Sequence, residues 1–443
     1  WISMNGKRRL KMKQLTRLFI PICLETLFYM LSGMVDTLML SAVGDYAVGA
    51  VGTANSYIGI FIIMFSIISS GMVSVMTQNI GAGRPGVAYQ ARQLGLLFNA
   101  VAGVLMAVFL FSGAGAILRM VGIADALYEP ALIYLKIVGG GCILNAVIPI
   151  FSSYLRAFGY TKQPLYATIV GNIANFVMNA VFLFVLHKGV AGVAAATVIS
   201  KILNLCIVLY FSHKLISAKN STERIANKTV LGQIVKVGLP SACETALYNV
   251  AMMLVIRFLN QMDAEGLNVT ARSYTATISN FSYCVGAALA QANAIMTGWH
   301  IGAGELEECD RGTKRAAFVG VCVAVCMETA IVLGSGFIMP LFTDNPEMTA
   351  LVRKLLAIDI VLEIGRVTNL VFGQALKTSG DAVFPAVIAA VFMFVFAVGG
   401  TWLFGISMGL MAVGAYIGLA SDECVRAVGM VWRWKTGKWR TKK

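Results

Sequence analysis

Charged side chains are scarce in this sequence. Asp, Glu, Lys and Arg make up 13% of its 443 residues, and hydrophobic residues make up 58%. Soluble domains average about 25% charged and 45–50% apolar residues. So few charges cannot cover the surface of a water-soluble globule, and the high apolar content excludes disordered, collagen-like and coiled-coil chains. The composition predicts an integral membrane protein of the all-α class.

Side chains that bind metals or perform catalysis are also rare. The three histidines are scattered, and the nine cysteines include no Cys-x-x-Cys pair. We expect the cysteines to be buried, reduced thiols, and we predict no metal site and no cofactor. Clustered nucleophile and base residues are missing as well, which argues against an enzyme. No G-x-x-x-x-G-K-[ST] phosphate-binding motif occurs, so we expect the protein to work without an ATPase subunit.

Apolar runs long enough to cross a bilayer, about 20 residues each, recur along the whole chain. They predict twelve transmembrane helices, at residues 18–42, 48–78, 93–118, 130–154, 165–186, 191–213, 237–260, 271–297, 316–341, 354–376, 382–404 and 409–431. Basic residues cluster at both termini. If both termini lie in the cytoplasm, most of the 35 Lys and Arg residues lie on the cytoplasmic side of the membrane. We therefore expect a multi-pass protein of the inner (cytoplasmic) cell membrane, with Trp1 and Lys443 in the cytoplasm. No nucleic-acid partner is expected.

The predicted spans fall into two groups of six. A long polar stretch between the sixth and the seventh span separates the groups. The predicted organisation is a basic N-terminal segment at 1–17, an N-lobe at 18–213, a cytoplasmic linker at 214–236, a C-lobe at 237–431 and a basic tail at 432–443.

The two halves of the chain also repeat each other. Three patterns recur at an offset of about 220 residues, too regular for chance. They are Pro21 with Glu25 and Pro240 with Glu244, residues 81–83 and 302–304, and residues 155–164 and 376–385. Because each half has six spans, we expect a pseudo-twofold axis along the membrane normal and a central cavity between the lobes. This arrangement suits alternating access and predicts a transporter.

Several short motifs make the sequence similar to the multidrug and toxic compound extrusion (MATE) family from about Leu18 to Val431. They are residues 33–37 (GMVDT), 78–83 (QNIGAG), 155–159 (LRAFG), 172–179 (from Asn172 to Asn179) and 195–197 (AAT). The resemblance implies a secondary antiporter that exports organic, often cationic, compounds in exchange for protons or sodium ions. Flippases of lipid-linked precursors share the architecture and are the alternative. We expect a monomer in the lipid bilayer with a small organic substrate.

Asp36 is the strongest candidate for coupling transport to an ion. An ionisable group in a membrane span costs roughly 2.5–3.5 kcal/mol on insertion scales and is a functional candidate by default. The resemblance places the key N-lobe acid of MATE proteins at Asp36 and its polar partners at Tyr134, Asn172, Asn175, Asn179 and Thr197. Many members of the family have a second aspartate where this chain has Asn179. Hydrogen bonding between helices is the alternative role for the polar partners.

The remaining candidate residues are less constrained by the sequence. Tyr29, Met30 and Met34 precede Asp36 on the first span and, with Asp36 and Asn172, are the predicted substrate contacts. In the C-lobe, the candidates for ion coupling are Glu244, Asp359, Glu363 and Arg366. Glu363 can instead pair with Arg366 within its helix, as Asp422 can with Arg426. Lys201 and Glu328 also lie in predicted spans, but the sequence assigns them no role.

Overall fold

The computed structural model describes residues 12–121, 123–216, 223–263 and 265–441. The predicted cytoplasmic positions of Trp1 and Lys443 lie outside these residues. Within them the chain forms thirteen α-helices. These are α1 (Met12–Ser41), α2 (Asp45–Gly81), α3 (Pro85–Val121), α4 (Asp125–Gly140), α5 (Cys142–Ala157), α6 (Lys162–Ala180), α7 (Gly189–Leu215), α8 (Asn227–Met262), α9 (Leu267–Gly302), α10 (Leu306–Ile338), α11 (Pro346–Thr378), α12 (Val383–Phe392) and α13 (Met411–Lys435).

The thirteen helices form the twelve predicted segments in the predicted order. The helices α4 and α5 are two parts of one segment and meet at a bend of 41°. The helix α6 continues through a π-helical turn at Val181–Val185, and α12 continues through Met393–Val398 and Thr401–Ser407. The helical fold class is therefore confirmed. Most helices extend several residues past their predicted ends, because their terminal turns are more polar than the apolar runs that reveal them.

By length and composition, eight of the described helices could each cross a membrane, or nine if the bent pair of α4 and α5 counts as one span. Three other long helices, α9, α11 and α13, are not apolar enough to be counted among these spans. All three belong to the second half of the chain, and α11 packs against the other two. Their lower hydropathy comes from polar and charged side chains that they bury against each other.

The helices form two compact units. The N-unit is Ile20–Leu239, and the C-unit is the chain from Pro240 onward with the part of α1 before Ile20. The boundary lies inside α8, which begins at Asn227 within the predicted linker at 214–236. Val230, Ile234 and Val237 are buried at intervals of four and three residues. This spacing places them on one helical face, and the polar residues between them stay exposed.

Glycines allow this first part of α8 to pack closely on α2 within the N-unit. A Cβ atom on Gly71 would lie 1.9 Å from the carbonyl oxygen of Ile234, and one on Gly238 would lie 1.7 Å from that of Ile67. Both distances are far below van der Waals contact, so only glycine fits at these two positions. The close packing explains why these turns of α8 belong to the N-unit.

The repeat expected from the sequence is visible in how matching helices end. The ends of α2 and α9 have positive φ angles at Gly83 (76°) and Gly304 (75°). At both helix ends, the N–H of the residue after the glycine donates a hydrogen bond to the backbone carbonyl five positions earlier, over 2.8 Å. Gly159 and Gly380 have φ angles of 84° and 91° after α5 and α11, with the same hydrogen-bond pattern. The matching positions therefore form matching local structures.

Candidate functional site

In the N-unit, a polar chain joins α1 to α6. Asn179 donates from Nδ2 to Asp36 Oδ1 over 2.8 Å and to Asn175 Oδ1 over 3.1 Å. Asn175 and Asn179 are buried on one face of α6, whereas Asp36 is half-buried. Two turns away, Asn172 donates to the backbone carbonyl of Phe28 on α1 over 2.9 Å. The structure thus brings these predicted partners to α1, as their spacing of three and four residues suggests.

Tyr134 and Thr197 extend the site to further helices. The hydroxyl group of Tyr134, on α4, faces the side chains of Asn55 and Thr197 and lies near Asp36. Thr197 also donates to the carbonyl of Val193 over 2.9 Å within α7. Five helices, α1, α2, α4, α6 and α7, therefore contribute polar side chains to one site around a single carboxylate.

One turn after Thr197, Lys201 brings a positive charge to the same site. Its ammonium group donates to Asn145 Oδ1 on α5 over 2.9 Å and interacts electrostatically with Asp36. No basic residue lies within four positions of Asp36 in the sequence. Lys201 lies far from Asp36 in the sequence and becomes its neighbour only through the packing of α7.

The predicted substrate contacts on α1 do not all face Asp36. Met34 lines an open depression of about 400 Å³ together with Thr37, Leu38, Ser41 and Val48. Because successive residues rotate by about 100°, Met34 points nearly opposite to Asp36. Tyr29 lies two turns before Asp36 on the same face, and 73% of its surface is exposed. Met30 is half-buried. Tyr29 is thus the predicted contact that is best placed beside Asp36.

The C-unit contains a larger charged network built on α11 and α13. Arg366 pairs with Glu363 on its own helix and lies 3.7 Å from Glu423 on α13. Arg426 bonds Asp422 through two nitrogens, at 2.9 and 2.6 Å, and Glu423 at 2.9 Å. The two predicted intrahelical pairs are thereby confirmed. Glu423, which the sequence analysis does not single out, connects them.

Three buried carboxylates gather at one end of this network. Oxygens of Glu328 on α10 and of Asp359 and Glu363 on α11 all lie within 4.8 Å of one another. Within the described residues, both oxygens of Glu328 and one oxygen each of Asp359 and Glu363 have no hydrogen-bond partner. Like charges this close repel each other, so the cluster needs protons or a cation. Oxygen-only ligands suit hard cations, so these three residues could hold one.

The predicted C-lobe candidate Glu244 has a basic partner. It lies 2.8 Å from Lys377 Nζ, and the matching residues of the N-unit, Glu25 and Arg156, lie 2.6 Å apart. Each pair connects the first helix of a half to the end of its fourth span. The internal repeat therefore preserves an ion pair, which the sequence analysis did not anticipate because its partners lie far apart in the chain.

Comparison with known sequences agrees with this architecture. The sequence model of the MatE family matches residues 21–181 and 240–403, once in each half. An uncharacterized transporter of Bacillus subtilis, YisQ, is 32% identical over 425 residues, which cover 95% of this chain and 93% of the relative. A probable multidrug resistance protein of Thermotoga maritima, NorM, is 21% identical over 440 residues, 96% and 93% of the two chains.

Solved structures of similar fold cover almost the whole chain. One is an outward-facing multidrug resistance MATE family transporter, with a TM-score of 0.84, 20% identity and 97% coverage of both chains. Another is a transporter of the MOP superfamily from Pyrococcus furiosus, described by the reverse polarity of its binding pocket. It has a TM-score of 0.83 and 20% identity, and the match covers 97% of this chain and 96% of that one. At this identity the likeness establishes the fold.

Proposed function

Because the chain belongs to the MatE family, we propose that it is a secondary active efflux antiporter. In this proposal it exports organic, cationic compounds in exchange for protons or sodium ions by alternating access. The observation that carries the proposal is the Asp36 site, where one half-buried carboxylate on α1 is held by Asn179 of α6.

A single carboxylate of this kind can serve both partners of an exchange. In its ionised form it attracts a cationic substrate, and once it binds a proton or metal cation that attraction is lost. Because Asn179 bonds Asp36 and Asn172 bonds the backbone of Phe28, a change at the carboxylate also alters how α1 packs on α6. A proton that crosses about 100 mV releases roughly 2.3 kcal/mol, enough for an approximately fiftyfold substrate gradient.

The carboxylates of Glu328, Asp359 and Glu363 are the second candidate for the coupling ion. Their unpartnered oxygens and mutual proximity support this role. Glu244 is a weaker candidate, because Lys377 already balances its charge.

A flippase for lipid-linked precursors is not favoured. Phosphate groups require accessible cations, and the buried guanidinium groups of Arg366 and Arg426 already bind carboxylates. The cysteine and histidine residues do not suggest an enzyme, in keeping with a family of transporters.

Transport into proteoliposomes tests the proposal. The purified protein should move an organic cation such as ethidium against its gradient when a proton or a sodium gradient is imposed, each tested separately. Asp36→Asn keeps the size of the side chain and removes its charge, so it should fold but lose accumulation. Asp344→Asn, a change in an exposed loop, is the control. Accumulation by Asp36→Asn at the wild-type rate would remove Asp36 from the mechanism, and no gradient-driven transport of any cation would refute the antiporter.

The proposal includes the membrane topology. Both termini are cytoplasmic, the chain works as a monomer, and the membrane is the cytoplasmic one. Cysteines introduced beside Trp1 and Lys443 should therefore resist an impermeant maleimide in intact cells and react after permeabilisation. Labelling of either position in intact cells would overturn this topology.

A further inference from the structure

Among the residues that the structure describes, Lys201 is the charged side chain of the N-unit site that the proposed exchange does not use. It lies on α7, one turn after Thr197, on the face that carries the contact with Tyr134. The residue is half-buried, and its ammonium group donates to Asn145 Oδ1 over 2.9 Å. It lies close enough to Asp36 for the two charges to interact.

The other ionisable groups around Asp36 are neutral in their ordinary forms. They are Tyr134 of α4 and Tyr29 of α1, with Cys142 of α5 next to Lys201. From α6, Asn175 and Asn179 contribute amides, which carry no charge. The charge of the site is therefore set by one carboxylate and one ammonium group.

We propose that Lys201 is a resident cation of the Asp36 site and that it makes this site select a proton over a sodium ion. This inference rests on the proposed antiport function and specifies its coupling ion. A sodium ion at Asp36 would be repelled by the nearby ammonium group of Lys201 and would find only one carboxylate to bind it. A proton bonds to a single carboxylate oxygen and requires no set of oxygen ligands.

Lys201 also strengthens the exclusion between proton and substrate. With Asp36 ionised, the pair is neutral overall, and a cationic compound can approach the carboxylate. When Asp36 takes up a proton, the positive charge of Lys201 remains unbalanced and repels the same compound. Protonation thus changes the site from neutral to positive, whereas without Lys201 it would change the site only from negative to neutral.

Sodium titration of the purified, full-length protein tests the inference without relying on transport. Thermal unfolding is followed while sodium chloride replaces potassium chloride at constant ionic strength, because an ion that binds the folded state raises the melting temperature. The wild type and Asp36→Asn should respond equally to sodium. Any sodium bound by the Glu328, Asp359 and Glu363 cluster contributes to both proteins and cancels in this comparison.

Lys201→Gln removes the charge but can still donate to Asn145, so it should acquire sodium binding. We expect its apparent sodium affinity to rise about tenfold or more, equivalent to about 1.4 kcal/mol. The added response should disappear in the double variant Lys201→Gln/Asp36→Asn. Lys201→Arg keeps the charge and should behave as the wild type.

Two results would overturn the inference. The first is a sodium response of the wild type that Asp36→Asn removes, and this comparison does not depend on the folding of any Lys201 variant. The second is a folded Lys201→Gln protein that gains no Asp36-dependent response. Failure of transport under all gradients, with the expected sodium titration, would instead refute the proposed antiport and leave the role of Lys201 in cation selection intact.

Discussion

The N-unit and the C-unit both bury ionisable groups among apolar helices, but they do so in opposite ways. In the N-unit, Asp36 is half-buried and bonded to a neutral amide, and the ammonium group of Lys201 lies nearby. In the C-unit, five carboxylates surround two guanidinium groups, and every carboxylate is buried. A site that exchanges ions must be reached and must change its charge at low cost. The N-unit site meets both needs, whereas the carboxylates of the C-unit network are all buried and its two guanidinium groups are already paired.

The largest effect that separates the two units is expected for Arg366→Ala. Removal of the guanidinium group leaves buried Glu363 without a cation and Glu423 with one fewer, and breaking a buried ion pair costs about 3–5 kcal/mol. The melting temperature of the variant should fall markedly, whereas Asp36→Asn should change it little. Thermal unfolding of the purified proteins measures both effects.

Arg353→Ala is the control for this comparison, since it removes an exposed arginine from the same helix. An Arg366→Ala protein as stable as the wild type would contradict the structural role of the network. If such a stable protein also bound substrate but no longer coupled transport to an ion, the coupling site would lie in the C-unit.

The matching ion pairs of the two units should produce a moderate effect. Glu25 pairs with Arg156 and Glu244 with Lys377, all four side chains being partly exposed. Double-mutant cycles with Glu→Gln and basic→Gln changes should give coupling energies of about 0.5–3 kcal/mol in each unit, because residues in direct contact are not additive. Similar coupling energies would indicate that in both units this ion pair holds the first helix against the end of the fourth span. A coupling near zero in one unit would restrict this role to the other.

The features that could be predicted best from the sequence are those that depend on residues close together along the chain. The twelve segments follow from apolar runs, and the Glu363–Arg366 and Asp422–Arg426 pairs follow from helical spacing. The proximity of Lys201 to Asp36 and of Glu328 to Asp359 could not be predicted, because it involves different helices and depends on how each helix is rotated. The same rotation places Met34 away from Asp36. The one available signal was that both Lys201 and Glu328 are ionisable residues within predicted spans.

The smallest difference between the units concerns how matching helices begin. Before α9, Asp263 accepts hydrogen bonds from the backbone N–H groups of Leu267 at 2.8 Å and Asn268 at 3.0 Å, which have no partner within the helix. Before α2, the matching helix, Gly44 provides no side-chain cap. We expect Asp263→Ala to destabilise the first turn of α9 by about 1 kcal/mol. Amide hydrogen exchange there should become roughly fivefold faster, while exchange at the start of α2 stays unchanged.

This effect should also depend on pH. Partial burial disfavours the Asp263 anion, but the hydrogen bonds from Asn268 and Leu267 outweigh burial and lower its pKa. The carboxylate therefore stabilises α9 above the pKa of the unfolded chain, about 3.9, and this contribution is lost as the pH falls through the lower pKa of the folded protein. The wild type and Asp263→Ala should differ at pH 7 and converge towards pH 3, with Asp344→Ala as the exposed-loop control. If the wild type and Asp263→Ala differed equally at pH 7 and pH 3, the Asp263 side chain would act by packing. The contrast between a capped α9 and an uncapped α2 would then not depend on charge.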